Sequence, residues 1–363
     1  MIELDKESVA FKERLLLNGY SITNERSRYT LPLTSNSNVY EPSKMYLDDN
    51  YGRFYSGDIL NHSMGIYGNP LMPYYDHGGQ ITLPIVDVIH VPYRKIPVYK
   101  VNSLGDIAPH LQEFAAYSPN HTILLRGQNN FYQLQRKNQK ELVQLYYNTS
   151  VKEPSFLPSM TRRAICYYDT VSVWHNVAAM LLQRLKAGHH SIDENIRLSE
   201  KFHLFSLAVA QHYGLPSVGL DLTDDLAVAL WFALYEATYS STEPVKAELI
   251  PADCNTANIY VFRCDKRTYF KFEDVVGDIG INRPSAQHAY FNHCGWGMQR
   301  NQMALQLMCA FRVDRLMAKE LPSDIIRTIF PRIEDDEVLR ILLDIKKLYK
   351  DTSISKLFEG LYL

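Results

Sequence analysis

The chain has 363 residues, of which 46% are hydrophobic and 21% charged, and its 38 basic and 40 acidic side chains leave a formal net charge of -2 at pH 7. This composition is typical of folded globular proteins and excludes wholesale disorder, collagen-like repeats and a coiled-coil rod. Because the charges nearly cancel, no global positive field draws the chain to DNA or anionic lipid, so any contact with nucleic acid must be local.

Several sequence features bear on location and on metal binding. No apolar run approaches the roughly 20 residues that span a bilayer, and residues 1–6 are too charged for a signal peptide. We therefore expect a cytoplasmic protein with no membrane partner. The five cysteines are an odd number and include no Cys-x-x-Cys pair, which argues against a disulfide framework or a structural zinc site. We predict free, mostly buried thiols and no metal site.

Residues 1–100 form a Tyr- and Pro-rich N-terminal region, because 11 of the 25 tyrosines fall in the first 99 residues. A short helix is predicted to end at Gly19, and loops with short strands are predicted over residues 20–80. Three prolines in residues 81–99 favour strands at a sheet edge. We place a domain boundary near residue 100. The tyrosines provide either a binding face or ordinary loop packing.

Residues 101–318 form the second predicted unit, in which helical and strand patterns alternate. Apolar residues recur at helical spacing over residues 104–114, 173–185, 196–213 and 226–234. Runs of β-branched and aromatic residues predict strands over 122–126, 258–262, 268–272 and 305–313. We expect an α+β fold with a central, mostly antiparallel sheet and a helical insertion, followed by a C-terminal helical extension over residues 319–363.

Arg126 is the sharpest single candidate for a functional residue. It is predicted to end a buried apolar strand, so its guanidinium must find an anionic or polar partner. That partner is either a ligand, such as a phosphate or a carboxamide bound by two parallel hydrogen bonds, or an internal carboxylate in a structural salt bridge. Gly127 follows and allows a ligand or another backbone to approach closely.

A second candidate cluster ends a predicted helix at Gln211, His212 and Tyr213, just before Gly214. These side chains both donate and accept hydrogen bonds, although a histidine at a helix C-terminus also serves as a simple cap. Asp221 lies between two leucines, so its carboxylate needs a partner. The candidate partners are Arg126, His212 and Arg300.

A third cluster is a run of amide side chains over residues 299–306, which enters a predicted strand. Such a run either hydrogen-bonds something specific or forms a polar strand face. Asp224 and Asp225 resemble a cation site, but capping of the helix over residues 226–234 accounts for both. The sequence contains no P-loop and no Gly-x-Gly-x-x-Gly pattern.

The motifs and their order resemble the FRG-domain family, which is named for an aromatic-Arg-Gly signature. The resemblance covers residues 103–312 and rests on the segments 124–128, 156–162, 210–216, 220–223 and 229–233. Several positions depart from the family pattern. Leu125 replaces the aromatic residue before Arg126, Val218 and Leu222 replace an Arg and a Trp, and Gln302 replaces the arginine of the closing strand.

The same order is similar, more distantly, to that of ADP-ribosyltransferases, which open on an aromatic-Arg-Gly strand and close on a strand bearing Glu or Gln. This likeness implies that NAD is the substrate and that a macromolecule accepts ADP-ribose. The catalytic residues that it implies are Arg126, His212, Asp221 and Gln306. The NAD-binding residues that it implies are Arg126, Gly127, Gln128, Gln211 and Tyr213.

Each of these residues has a role under the ADP-ribosyltransferase hypothesis. Arg126 clamps the dinucleotide, and His212 and Tyr213 position the ribose or the nicotinamide. Asp221 orients Arg126 or His212, and Gln306 takes the place of the closing Glu. Because a Gln cannot act as a general base, the acceptor must be reactive already or be activated by Asp221 or His212.

Three functions are compatible with the sequence. The first is an NAD-dependent ADP-ribosyltransferase acting on RNA, DNA or protein, as the toxin of a toxin-antitoxin or phage-defence system with an antitoxin or inhibitor as partner. The second is a nucleotide- or nucleic-acid-binding module without chemistry. The third is a protein-interaction domain that uses the tyrosine-rich first 100 residues as its contact face.

Overall fold

The computed structural model describes residues 45–48, 53–56, 81–91, 94–116, 121–135, 150–162, 167–189, 192–193, 195–238, 245–265, 269–294 and 301–361. The predicted helix ending at Gly19 lies outside these residues, as do Gln299 and Arg300. Two short strands fall within the predicted loop-rich region, β1 (Met45–Asp48) and β2 (Arg53–Ser56), and they form an antiparallel pair. The tyrosine-rich contact face stays a prediction.

An eight-stranded sheet organises the described chain. Its strands are β3 (Ile85–Val91), β4 (Arg94–Lys100), β5 (His121–Gln128), β6 (Gly219–Thr223), β9 (Asn258–Asp265), β10 (Tyr269–Lys271), β11 (Ala289–His293) and β12 (Leu307–Arg312). The remaining described strands, β7 (Tyr235–Thr238) and β8 (Lys246–Leu249), form a separate antiparallel pair. The sheet order is β10-β11-β6-β5-β9-β12-β4-β3. Its pairs are antiparallel except for β12 with β4, which confirms the predicted α+β fold with a mostly antiparallel sheet.

The described helices of nine or more residues follow the predicted apolar periodicities, whereas the two short helices over residues 273–276 and 283–286 were not predicted. They are α1 (Leu104–Ala116), α2 (Tyr167–Leu185), α3 (Glu200–His212), α4 (Leu226–Leu234), α5 (Glu273–Val276), α6 (Arg283–Ala286), α7 (Ile325–Ile329) and α8 (Glu337–Leu348). Short 3-10 helices span Ser159–Arg162, Ile196–Leu198, Gln302–Gln306, Arg315–Glu320 and Ser355–Phe358. The side chain of Asp225 caps α4 by accepting from the backbone N–H groups of Ala227 and Val228, as the sequence predicted.

Alternate side chains of the central strand β9 enter different apolar clusters, as the two-residue period of a strand requires. Ile259 and Val261 pack with α1 and α4, whereas Tyr260 and Phe262 pack with Leu124. A third cluster joins α2, α3 and α8. The sheet therefore holds β5 rigidly between packed elements, and β5 carries Arg126.

Strands on both sides of the predicted boundary near residue 100 lie in one sheet, and the division into domains stays a prediction. Strands β3 and β4, over residues 85–100, belong to the same sheet as β5, with β3 at one edge. The extension over residues 319–363 is also packed into the fold, because Val338, Leu342 and Ile345 of α8 lie in the cluster with α2 and α3. The described residues 81–361 therefore share continuous cores across both predicted boundaries.

Among the described residues, no helix combines the length and apolarity needed to cross a membrane. The four described cysteines are free, and three of them are buried, as predicted. Burial raises the pKa of the Cys294 thiol to about 12, which keeps this thiol protonated and unreactive at neutral pH.

Candidate functional site

Arg126 lies within β5, with its backbone paired to Tyr260 of β9. The strand continues to Gln128, two residues beyond the predicted end at Arg126. The Nη1 atom of Arg126 donates a hydrogen bond of 2.5 Å to the backbone carbonyl of Asp221 on β6. Main-chain pairing therefore fixes the base of the side chain, and this hydrogen bond to the neighbouring strand fixes its tip.

Gly127 is required by the packing of α4 on β5. A Cβ atom built at this position would lie 1.9 Å from the carbonyl oxygen of Ala229 and 2.6 Å from the backbone nitrogen of Ala233. Of the two reasons that the sequence offered for this glycine, the structure therefore shows the close approach of another backbone. Gly127 also lines the cavities described below.

The C-terminus of α3 places Gln211 and His212 beside Arg126. Gly214 adopts a positive φ of 78°, and the backbone N–H of Leu215 donates to the carbonyl of Ala210 at 2.8 Å. This is the left-handed glycine cap that a Gly-x-Pro sequence favours after a helix. The cap ends α3 so that its last side chains face β6.

Asp221 is the centre of the cluster. Its Oδ1 atom lies 2.8 Å from Nδ1 of His212, and its Oδ2 atom accepts a hydrogen bond of 3.0 Å from Nε2 of Gln211. Burial by itself raises the pKa of Asp221, but the charge and hydrogen bonding of His212, the hydrogen bond from Gln211 and the charge of Arg126 outweigh it. The net pKa lies below its usual value, so the carboxylate is ionised at neutral pH. Of the candidate partners, Arg126 and His212 lie at Asp221.

Two cavities lie beside this cluster. The larger, of about 800 Å³, is lined by Arg126, Gln128, Asn129, Phe131, Gln133, Glu236 and other residues. The smaller, of about 210 Å³, is lined by Arg126, Gln211, Asp221, Phe232 and apolar side chains. Arg126, Gly127 and Phe232 belong to both linings, so Arg126 borders both cavities. The large cavity has the volume of a typical ligand site, about 300–1,000 Å³.

Tyr213 does not join the cluster through its hydroxyl group. The ring is fully buried, and the hydroxyl donates to Asp336 near the start of α8 at 3.1 Å. Asp336 also accepts from the backbone N–H of Arg283, whose guanidinium lies 5.3 Å from the centre of the Tyr213 ring. Tyr213 therefore ties the C-terminal extension to α3, and it is absent from the residues that line the two cavities. The structure shows a packing role for Tyr213, and its expected role in NAD binding stays a prediction.

Gln306 also lies away from Arg126. It is completely buried at the end of a 3-10 helix, directly before β12, and it lines neither of the two cavities. Strand β9 separates β12 from β5, and the strand register puts the two positions about three residues apart along the sheet. Strand spacing and rise place their backbones roughly 14 Å apart. His212 and Arg126 therefore both contact Asp221, whereas Gln306 lines neither cavity, and the catalytic role expected of Gln306 stays a prediction.

Asp224 does not cap helix α4, although the sequence analysis predicted that it would. Its carboxylate accepts a hydrogen bond from the hydroxyl of Tyr290 at 2.7 Å and lies 3.2 Å from Nδ1 of His288. Asp225 alone caps α4. Among the described residues, no group of three or more His, Cys, Asp or Glu side chains has the arrangement of a metal site.

Sequence reasoning missed Glu236 and most of the polar lining of the large cavity. Glu236 lies on β7, a short strand whose alternation of half-buried and exposed side chains gave no clear apolar signal. Asn129 and Gln133 follow β5 in a loop, and Gln128 places a buried Oε1 atom there that accepts no hydrogen bond from any described residue. The turn-rich sequence after Gly127 was the only available signal for this lining.

The chain was compared with protein-family models, with curated proteins and with solved structures, and only the comparison with family models gave a match. The described chain is an α+β protein with an arginine at the meeting point of two cavities, and the family model of the FRG domain matches residues 122–242. The likeness to the FRG-domain family is therefore found over residues 122–242, about a third of the chain. Neither the curated proteins nor the solved structures yielded a match. The matched segment includes Arg126, Gln211, His212 and Asp221, whereas Gln306 lies outside it.

Proposed function

We propose that the cleft beside Arg126 binds NAD and that the FRG domain transfers ADP-ribose from NAD to a macromolecule. This proposal rests on Arg126, which lines both a large polar cavity and a small one whose wall contains the ionised carboxylate of Asp221. A guanidinium held in this way suits the diphosphate of a dinucleotide, because it offers planar, charge-assisted hydrogen bonds to phosphate oxygens.

The chemistry of ADP-ribose transfer gives Asp221 a role. The bond between the ribose carbon and the nicotinamide nitrogen breaks, the electron pair leaves with neutral nicotinamide, and positive charge develops on the ribose. A fixed carboxylate beside that carbon stabilises the developing charge more than it stabilises the ground state. His212 and Gln211 hold Asp221 ionised and oriented, so both act as positioning residues.

Bond formation to the acceptor completes the transfer. The nucleophile of the acceptor bonds to the ribose carbon, and its proton must go to a base. Because Gln306 lies elsewhere and cannot take a proton, we assign this role to Glu236, the carboxylate in the lining of the large cavity. Glu236 is exposed, so an acceptor reaches it without opening the fold.

A toxin is the biological role that fits this chemistry, since consumption of NAD or modification of an essential RNA, DNA or protein stops growth. A toxin would need an antitoxin or inhibitor as partner in the cell that makes it. Expression of the chain in a bacterial host is expected to arrest growth, and Arg126→Lys is expected to relieve the arrest at equal protein level.

A nucleotide-binding module without chemistry is the second candidate. The specific observation in its favour is the separation of Gln306 from Arg126, because it leaves the cleft without the closing residue that the ADP-ribosyltransferase likeness implied. The cleft would then bind a nucleotide through Arg126 and the surrounding amides. Such a module binds NAD and releases no nicotinamide.

Release of nicotinamide distinguishes the two functions. Purified protein is incubated with NAD and with whole-cell protein or RNA as acceptor, and free nicotinamide is measured. We expect release with the natural chain and with Arg340→Lys, a matched change on the exposed face of α8, and loss of release with Arg126→Lys. Binding of NAD without release under every acceptor condition would favour the module instead.

A further inference from the structure

The small cavity contains an amide group whose orientation is fixed by chemistry. Gln211 lies within hydrogen-bond distance of Asp221, at 3.0 Å. An ionised carboxylate can only accept hydrogen bonds, so the amide must present its NH2 group to Asp221. The depressed pKa of Asp221 keeps that carboxylate ionised at neutral pH.

The opposite end of the same amide is a buried acceptor. The Oε1 atom of Gln211 has almost no solvent contact and accepts no hydrogen bond from any described residue. A buried acceptor without a donor has lost its hydrogen bonds to water and destabilises the fold. Gln211 lines the small cavity, so a ligand in this cavity has access to an acceptor that is already oriented and desolvated.

Two donor groups of the cavity wall, on Thr223 and Gln287, are already used in internal hydrogen bonds. The hydroxyl of Thr223 donates to the carbonyl of Gln287, and the amide NH2 of Gln287 donates to the carbonyl of Ile329. Leu125 and Phe232 contribute apolar surface to the same wall. The site therefore suits a ligand part that combines apolar surface with an N–H donor for Gln211.

The charged side chains of the small cavity further restrict which ligands fit it. The carboxylate of Asp221 lies in the wall next to Gln211, and Arg126 also lines this cavity, so a positive charge on the ligand is favoured beside Asp221 and a negative charge beside Arg126. At about 210 Å³ the cavity is smaller than the about 300–1,000 Å³ of sites that hold whole ligands. It therefore accommodates one part of a ligand whose other part occupies the large cavity across Arg126.

We propose that the small cavity binds the carboxamide-bearing pyridinium ring of NAD, with Oε1 of Gln211 accepting a hydrogen bond from the carboxamide NH2 group. This inference rests on the proposed function, because it assigns one half of the proposed substrate to one of the two cavities. Gln211 then determines specificity for the carboxamide, while the diphosphate and adenosine extend past Arg126 into the large cavity.

The test compares three ligands by titration calorimetry. NAD carries the carboxamide, its acetylpyridine analogue keeps the ring charge and the carbonyl group but lacks the NH2 group, and ADP-ribose lacks the ring. The natural chain is expected to bind NAD at least about tenfold more tightly than the acetylpyridine analogue, the ratio that one hydrogen bond to a buried acceptor gives. This comparison needs no variant and so does not depend on the folding of one.

Gln211→Leu supplies the second arm, with Gln112→Leu on the exposed face of α1 as matched control. Gln211→Leu is expected to bind NAD and the acetylpyridine analogue equally and to bind ADP-ribose as the natural chain does. Equal affinity of the natural chain for NAD and the analogue would overturn the inference and leave the proposed function standing. Weaker ADP-ribose binding by Gln211→Leu would also overturn it, because adenine would then occupy the small cavity. Failure of the natural chain to bind NAD at all would overturn both.

Discussion

Nδ1 of His212 lies 2.8 Å from Oδ1 of Asp221, although the first residue ends helix α3 and the second lies in the middle of strand β6. The same aspartate accepts a hydrogen bond from Arg126 through its backbone carbonyl. One residue therefore connects the end of a helix to the arginine on the neighbouring strand. The FRG motifs at residues 124–128, 210–216 and 220–223 meet at this point.

The contribution of Asp221 to stability is expected to depend on pH. Its pKa is lowered in the folded state, so the stabilisation is present above the unfolded pKa of about 3.9 and is lost as the pH falls through the folded pKa. Asp221→Asn should therefore lower the melting temperature at pH 7 and lower it progressively less from about pH 5 to about pH 3. Thermal unfolding across this range measures the effect, with Asp351→Asn on the exposed C-terminal segment as control. A difference in melting temperature between the variant and the natural chain that stays constant with pH would contradict the assignment of the stabilisation to the ionised Asp221 carboxylate.

Gly127→Ala should destabilise the fold because its Cβ would overlap the backbone of α4 at Ala229. We expect a loss in the free energy of unfolding of about 3 kcal/mol or more, at the upper end for overpacked sites. Gly105→Ala in helix α1 is the matched control, because its Cβ would meet nothing closer than 3.5 Å and alanine favours the helix by about 0.5–1 kcal/mol. Denaturant unfolding of both variants checks this, and equal stabilities would refute the packing argument.

Tyr213→Phe should lower the stability of the fold without changing its affinity for NAD. Removing the hydroxyl leaves Asp336 without one of its donors, which should cost about 1–3 kcal/mol of unfolding free energy. Affinity for NAD should stay unchanged, because the hydroxyl points to the C-terminal extension. Tyr349→Phe, whose ring stacks on Phe358 at 5.2 Å, serves as control for loss of a tyrosine hydroxyl. A large loss of NAD affinity in Tyr213→Phe would restore the role that the sequence suggested.

Gln306→Glu tests whether this residue holds the place of a catalytic glutamate. The side chain is completely buried, so the new carboxyl group must either be ionised in the core or stay protonated. Its pKa is then raised, and stability is expected to fall as the pH rises above the unfolded value of about 4.3. We expect no gain in nicotinamide release, with Gln112→Glu on the surface as control. A clear rise in turnover would show that Gln306 reaches the substrate.

The elements with strong local patterns were predicted from the sequence. Helix α4 spans Leu226–Leu234 as predicted, because nine consecutive apolar or aromatic residues follow an Asp cap. The strand that carries Arg126 and the helix end at His212 were also recognised. These features depend on apolar runs, caps and glycine or proline stops, which are local properties of the chain.

Other features depend on tertiary contacts that no local pattern records. Strands β6 and β11 were not predicted, since each has only five residues and their burial comes from packing between neighbouring strands. The separation of Gln306 from Arg126 follows from the order of strands in the sheet. The attachment of Tyr213 to Asp336 joins positions far apart in the sequence. Order along the chain predicted which motifs form the domain, but it did not predict which side chains face the cleft.

The central claim is that the cleft beside Arg126 is an NAD site, and titration of NAD into the natural chain and into Arg126→Lys tests it most directly. The lysine keeps the positive charge but loses the planar pair of donors. We predict saturable binding by the natural chain and by the Arg340→Lys control, and binding at least about tenfold weaker by Arg126→Lys. Equal affinity of all three proteins, or no binding by the natural chain, would contradict the claim.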